Sequence, residues 1–244
     1  AIIIDACTFF ISAFILRKLI LPRPSNPKIM HPTWKDFTGL NDMIEGSKYI
    51  AGHRNVGALM LVKSGWALSG GVLVLLTYFG EQVFSREATG SGSGLLYSVR
   101  GLGAALGPIL AWRLLGESKL AMYRAIGISF FVASASYLLF SKAPVLLLAL
   151  PCVFAGHLGG SIQWVFSTNL LQRMVPDQFR GRVFAAEMAL LTLVLSFSTY
   201  FTGYALDTGT DPRLVAERLA LLFLVPGIVW TLYNWISRPL HTDR

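Results

Sequence analysis

The chain has 244 residues, 54% of them hydrophobic and only 14% charged, with a formal net charge of +8. A soluble domain carries about 25% charged residues, so an ordinary water-facing surface is excluded. An excess of positive charge would suit nucleic acid, but its placement along the chain, set out below, points elsewhere, and no nucleic-acid partner is expected.

Residues 1–16 are apolar apart from Asp5 and stop at Arg17 and Lys18. No basic stretch precedes this run, so it does not read as a signal peptide. It reads as the tail of a spanning helix whose earlier part, with an N-terminal half, is expected to be missing. Residues 17–54 read as a cytoplasmic linker. Pro22, Pro24, Pro27 and Pro32 lie among basic residues, and Phe37, Leu40, Met43, Ile44 and Ser47 then follow with helical spacing from Asp36 to about His53. That pattern predicts a short amphipathic helix on the membrane surface.

Six further apolar segments follow at about 55–79, 93–115, 120–140, 145–171, 183–206 and 214–236. At 1.5 Å rise per residue, each is long enough to cross a hydrocarbon layer of ~30 Å. The expected fold is an all-α membrane protein: a six-transmembrane-helix bundle over residues 55–237, preceded by part of another spanning helix and followed by a tail at 238–244. The connections are short, so sequential helices are expected to pack antiparallel.

With the linker on the inside, fifteen of the 21 Lys and Arg fall on the cytoplasmic side. Arg86, Lys142, Arg213 and Arg218 fall on the other side, and Lys63 and Arg100 fall within segments. This is the asymmetry of the positive-inside rule. It accounts for the net charge and places the C-terminus in the cytoplasm.

A charge at the centre of a spanning helix costs at least ~2.5–3.5 kcal/mol and needs a reason. Lys63 and Arg100 lie about 6 Å from their helix centres, and Glu187 about 10 Å. Lys63 and Glu187 share the cytoplasmic half of the layer and could pair. Arg100 lies in the outer half and is not expected to join them. Glu187 is either a proton-responsive group with Lys63 as partner, or half of a structural ion pair. Arg100 is a candidate for an anionic substrate group or a gate contact.

The 145–171 segment carries Gly156, His157, Gly159, Gly160, Ser161, Gln163 and Trp164 near its middle. Two readings stay open: a discontinuous helix at a binding site, or close helix packing through small residues. His157, Trp66 and Gln163 are candidate pathway residues. Gly101, Gly103, Gly107 and Pro108 mimic a nucleotide loop, but inside an apolar helix they fit close packing with a proline kink better. Asp177, Arg180 and Arg182 form a candidate cytoplasmic gate loop, whose bland alternative is charge that only sets topology. No metal-ligand set and no nucleophile–base constellation is visible. No enzyme activity, cofactor or metal is therefore expected.

The stretch 170–185, Leu-Leu-Gln-Arg-Met-Val-Pro-Asp-Gln-Phe-Arg-Gly-Arg-Val-Phe-Ala, resembles the loop between helices 10 and 11 of bacterial major facilitator superfamily exporters. The nearest subgroup includes enterobactin and macrolide exporters. Residues 5–16 resemble the end of helix 6 in that group, and Glu45-Gly46-Ser47-Lys48-Tyr49-Ile50 resembles the surface helix before helix 7. The likeness covers nearly the whole chain but only the second half of a twelve-helix family. It implies helices 7–12 of a plasma (inner) membrane protein, with a small-molecule substrate, the lipid bilayer, a proton and the N-terminal half as partners. The expected function is secondary active transport, with proton-coupled efflux of small amphiphilic molecules by alternating access. A lipid-modifying membrane enzyme and a non-transporting scaffold are the alternatives.

Overall fold

The computed structural model describes residues 2–18, 40–85, 87, 91–116 and 118–236. Most of the expected linker, the first residues of its amphipathic helix and the tail at 238–244 lie outside the described residues, as does Arg86. The described regular structure is helical, without a strand. The chain divides into two compact units, residues 1–41 and 42–244. In the first, helix α1 spans Ile2–Arg17 and ends on a basic turn, where a cation suits the helix dipole.

The second unit holds most of helix α2, Leu40–Gly52, followed by the spans α3, Arg54–Val83; α4, Gly92–Leu115; α5, Lys119–Lys142; α6, Leu146–Met174; α7, Asp177–Asp207; and α8, Pro212–Ile236. Among the described residues these six are long and apolar enough to cross a membrane. The chain is a multi-pass membrane protein on that ground. Local chemistry sets the ends. The Ser118 hydroxyl accepts from the Ala121 amide at the start of α5, and the Asp211 carboxylate accepts from the Arg213 amide ahead of α8, as N-caps do. Gly116 (φ 77°) and Gly209 (φ 83°) stop α4 and α7 in the left-handed conformation, which costs glycine least.

Helix α3 is the centre of the bundle. Of its most apolar stretch 72% is buried within the protein, against 17% for α7. It packs against α6, α7 and α8. A helix hydrophobic on all sides is what this position requires, and its own Leu59, Val62, Leu75, Leu76 and Phe79 are buried. Sequence neighbours are not always packing neighbours. Helices α6 and α7 are joined by a two-residue turn, yet both pack on α3 rather than along each other. Helix α4 runs along α6 more than along α5. The reason is the glycines: a Cβ on Gly103 would strike the Phe154 carbonyl oxygen, and one on Gly107 the Leu158 carbonyl oxygen. Gly103 and Gly107 therefore serve backbone-to-backbone approach in an unbroken helix, the usual role of small residues between membrane helices, while Gly101 faces open space.

Of the two readings left open for the glycine-rich middle of α6, the discontinuous helix is not what the structure has; the interruption lies in α3. Helix α6 is continuous through its glycines. Helix α3 leaves α-geometry at residues 68–71, where the Val72 amide bonds the Ser69 carbonyl and the Leu73 amide the Gly70 carbonyl. These tighter i→i+3 bonds free the Leu68 carbonyl and the Gly71 amide. Ser198 of α7 satisfies both, donating to Leu68 O at 2.8 Å and accepting from Gly71 N at 3.0 Å. Side chains at 70 and 71 would collide with Leu195 and Thr202, so Gly70 and Gly71 let α7 come close enough for this. Ser198→Ala is expected to lower stability by about 1–2 kcal/mol, read as the unfolding midpoint in detergent. An unchanged midpoint would show that the hydroxyl is not what holds the break.

Candidate functional site

Lys63 sits in the N-terminal half of α3 and Glu187 three turns into α7. Their helices pack together, and Lys63 Nζ lies 2.8 Å from Glu187 Oε2 with the two side chains 4% and 0% exposed. The ammonium also lies 4.7 Å from the centre of the Trp164 ring and 5.7 Å from that of Phe184, both favourable for a cation. The second carboxylate oxygen, Glu187 Oε1, is buried without a hydrogen-bond partner, as are Ser64 Oγ and both amide atoms of Gln163. The pair is therefore well made on one oxygen and open on the other, and Oε1 is where a proton could be received.

Arg100 does not join this pair. Its Nε donates to His157 Nε2 at 2.9 Å, and His157 Nδ1 lies 2.6 Å from the Tyr137 hydroxyl. A guanidinium only donates, so Nε2 must be the acceptor nitrogen. His157 is thus assigned the neutral Nδ1–H tautomer, donating to the Tyr137 oxygen. Packing keeps the chain in place: the Trp66 ring meets His157 edge-on at 5.7 Å, and a Cβ on Gly156 would strike the Tyr137 ring. A Cβ on Gly160 would likewise enter the Trp66 ring. Gly156 and Gly160 make room for aromatic rings, whereas Gly159 lets the backbone of α5 come close at Ser129.

Beside these groups α3, α4, α6 and α7 form a half-open cavity of about 450 Å³, lined by Trp66, Arg100, His157, Gly160, Ser161 and Trp164 among others. Residues 157, 160, 161 and 164 follow the i, i+3, i+4, i+7 rhythm of one helix face. Gln163 falls off that face. It is 1% exposed and does not line this cavity, which corrects the expectation drawn from its polarity. Trp164, one residue on, takes the place expected of it and touches both the cavity and Lys63.

The residues expected to form a gate loop, Asp177, Arg180 and Arg182, lie instead in the first two turns of α7, because the turn from α6 is only Val175 and Pro176; they tie that end of the helix down twice. Arg180 pairs with Asp177 at 2.8 Å and reaches back to the carbonyl of Gln172 at 3.0 Å, where a cation complements the end of α6. Arg182 crosses to Glu45 of α2 at 2.6 Å. The Tyr49 ring stacks on Phe179 at 4.4 Å, and Gly46 lets α2 settle on the Cβ of Arg182. Helix α2 thus packs through Gly46 and Tyr49, leaving Met43 and Ile44 exposed. Among the described residues no group of His, Cys, Asp and Glu is arranged to hold a metal ion.

Sequence reasoning passed over Tyr137 and Ser198. Tyr137 sits in a run without a charged residue, beside Ser134 and Ser136, and counting back from the α5–α6 turn places it nearer the end of the bundle than His157. Ser198 is one of several hydroxyls in α7, and only the break in α3 distinguishes it. Compared with protein-family models, curated proteins and solved structures, the chain matches none.

Removing one partner of a buried pair strands the other charge, at a typical cost of about 3–5 kcal/mol, whereas replacing both with apolar groups is often neutral. Lys63→Met and Glu187→Leu singly should each destabilise the bundle by about that amount, and the double variant should recover most of it. Unfolding in detergent reads this cycle; additive losses would show that the two groups do not act as a pair.

Proposed function

We propose that this chain is the C-terminal half of a secondary active transporter of the major facilitator type. It exports small amphiphilic molecules across the plasma (inner) membrane in exchange for protons, with its C-terminus in the cytoplasm. The observation that carries this reading is the juxtaposition of a buried, protonatable ion pair with an aromatic-walled cavity, the two sharing Trp164. The resemblance of residues 170–185 to an exporter loop supports it, as does the crowding of basic residues, counted along the sequence, in alternate connectors.

In this reading the proton is received at Glu187. Protonation removes the carboxylate charge and leaves Lys63 without a counter-charge beside Trp164. The contact holding α3 to α7 is then weakened, and the balance between two bundle conformations shifts. The break at 68–71 lies five residues past Lys63 and gives α3 a place to flex without losing backbone hydrogen bonds. The Arg182–Glu45 and Arg180–Asp177 contacts hold the inner end of α7 in the conformation described. The N-terminal half supplies the remaining wall of the pathway.

The test is transport by the two halves together in proteoliposomes with an imposed pH gradient. Glu187→Gln should reduce gradient-driven transport by about tenfold or more while leaving substrate exchange without a gradient intact, and the rate of transport should lose its dependence on pH. Lys63→Ala should impair both modes. Unaltered pH dependence in both variants would end the coupling assignment.

A further inference from the structure

We propose that the cavity between α3, α4, α6 and α7 binds an anionic aromatic amphiphile, its carboxylate or similar oxyanion held by Arg100 and its ring by Trp66 and Trp164. The proposal rests on the transport reading insofar as this cavity is the substrate site, and it names the class of substrate.

The cavity volume of about 450 Å³ falls within the usual range for small-molecule sites. Its wall holds one formally charged side chain, Arg100, and no carboxylate. Arg100 uses Nε on the neutral His157 and its guanidinium lies 5.6 Å from the centre of the Tyr97 ring, but neither contact supplies a negative charge. Its two Nη groups have no hydrogen-bond or ion-pair partner among the described residues. Glu187, the carboxylate on the neighbouring wall, is already engaged with Lys63.

A guanidinium within a spanning segment is costly without a counter-charge. An oxyanion entering the cavity would supply one, and the planar fork of Nη donors matches its two oxygens. The Tyr137–His157 chain fixes the guanidinium before the ligand arrives, which lowers the cost of ordering it on binding. Tyr137 and His157 are thus positioning residues. The rest of the wall asks for an apolar or aromatic body: Trp66 and Trp164 offer ring faces and edges, and Leu191 and Leu195 of α7 close the side. A cationic ligand would meet Arg100 without a free carboxylate to offset it.

Equilibrium dialysis of naphthoate, naphthylmethanol and naphthylmethylammonium against the chain in phosphatidylcholine nanodiscs tests this. Naphthoate should bind about tenfold or more tightly than the alcohol, and the ammonium most weakly. Arg100→Gln should abolish the preference while still binding the alcohol, which shows the cavity intact, and Arg100→Lys should keep part of it. Equal affinity for the three probes in the unmodified chain, no naphthoate binding at about 1 mM, or an unchanged preference in Arg100→Gln would overturn the proposal. The comparison of probes on the unmodified chain decides the matter even where a variant fails to fold. No gradient is involved, so the two readings can fail separately. Loss of gradient-driven transport in Glu187→Gln without anion preference would sink the ligand class alone; anion preference without gradient-driven transport would sink the coupling alone.

Discussion

The bundle is governed by the absence of water along its spans. Inside a hydrocarbon layer each polar group must find its partner within the protein or lose several kcal/mol. The Lys63–Glu187 contact is the strongest expression of that constraint, because it neutralises two charges at once and does so between the central helix and the least buried one. The same demand explains why Ser198 serves both freed backbone groups of α3, and why His157 is held between Tyr137 and Arg100. These three polar contacts all involve α3 or the helices lining the cavity beside it. Between α5 and α8, apolar packing is joined by further polar contacts: Trp230 Nε1 donates to the Tyr123 carbonyl and Arg213 to the carbonyls of Ser141 and Ala143.

Small residues decide where close backbone approach is possible. Gly103 and Gly107 bring α4 against the backbone of α6, and Gly70 and Gly71 bring α7 against the break in α3. Where the glycines instead face aromatic rings, as Gly156 and Gly160 do, they admit Tyr137 and Trp66 and shape the cavity wall. One residue type thus serves two ends, and the neighbour across the interface decides which. The divergence of α6 and α7 from their shared turn leaves the space that Trp66, Trp164 and Arg100 line.

The spans were legible because apolar runs of sufficient length leave few alternatives; their limits fall within about four residues of the observed ones, except that α7 begins at Asp177, six residues before the apolar run at 183, because its first turns are charged. The charges within them were equally visible, since each stands out against its surroundings. Depth counted along the helices placed Lys63 and Glu187 at a level where they could meet. It could not tell which faces they occupied, and it says nothing of a partner such as Tyr137 that lies on another helix. Gln163 shows the limit well: polarity marked it, but the helical phase that turns it away from the cavity is set by how α6 packs on α4 and α5.

The amino-acid sequence by itself determined that this is a chain of apolar helices, roughly where the apolar part of each lies, and that Lys63, Arg100 and Glu187 lie inside them. These are local properties, fixed by transfer free energy and by capping over a few adjacent residues. The tertiary structure alone decided which helices touch, that the interruption falls in α3 rather than α6, and that Arg100 meets His157 while Glu187 meets Lys63. Those outcomes depend on helix rotation and on side-chain fit across interfaces between residues far apart in the chain, and no local pattern encodes them.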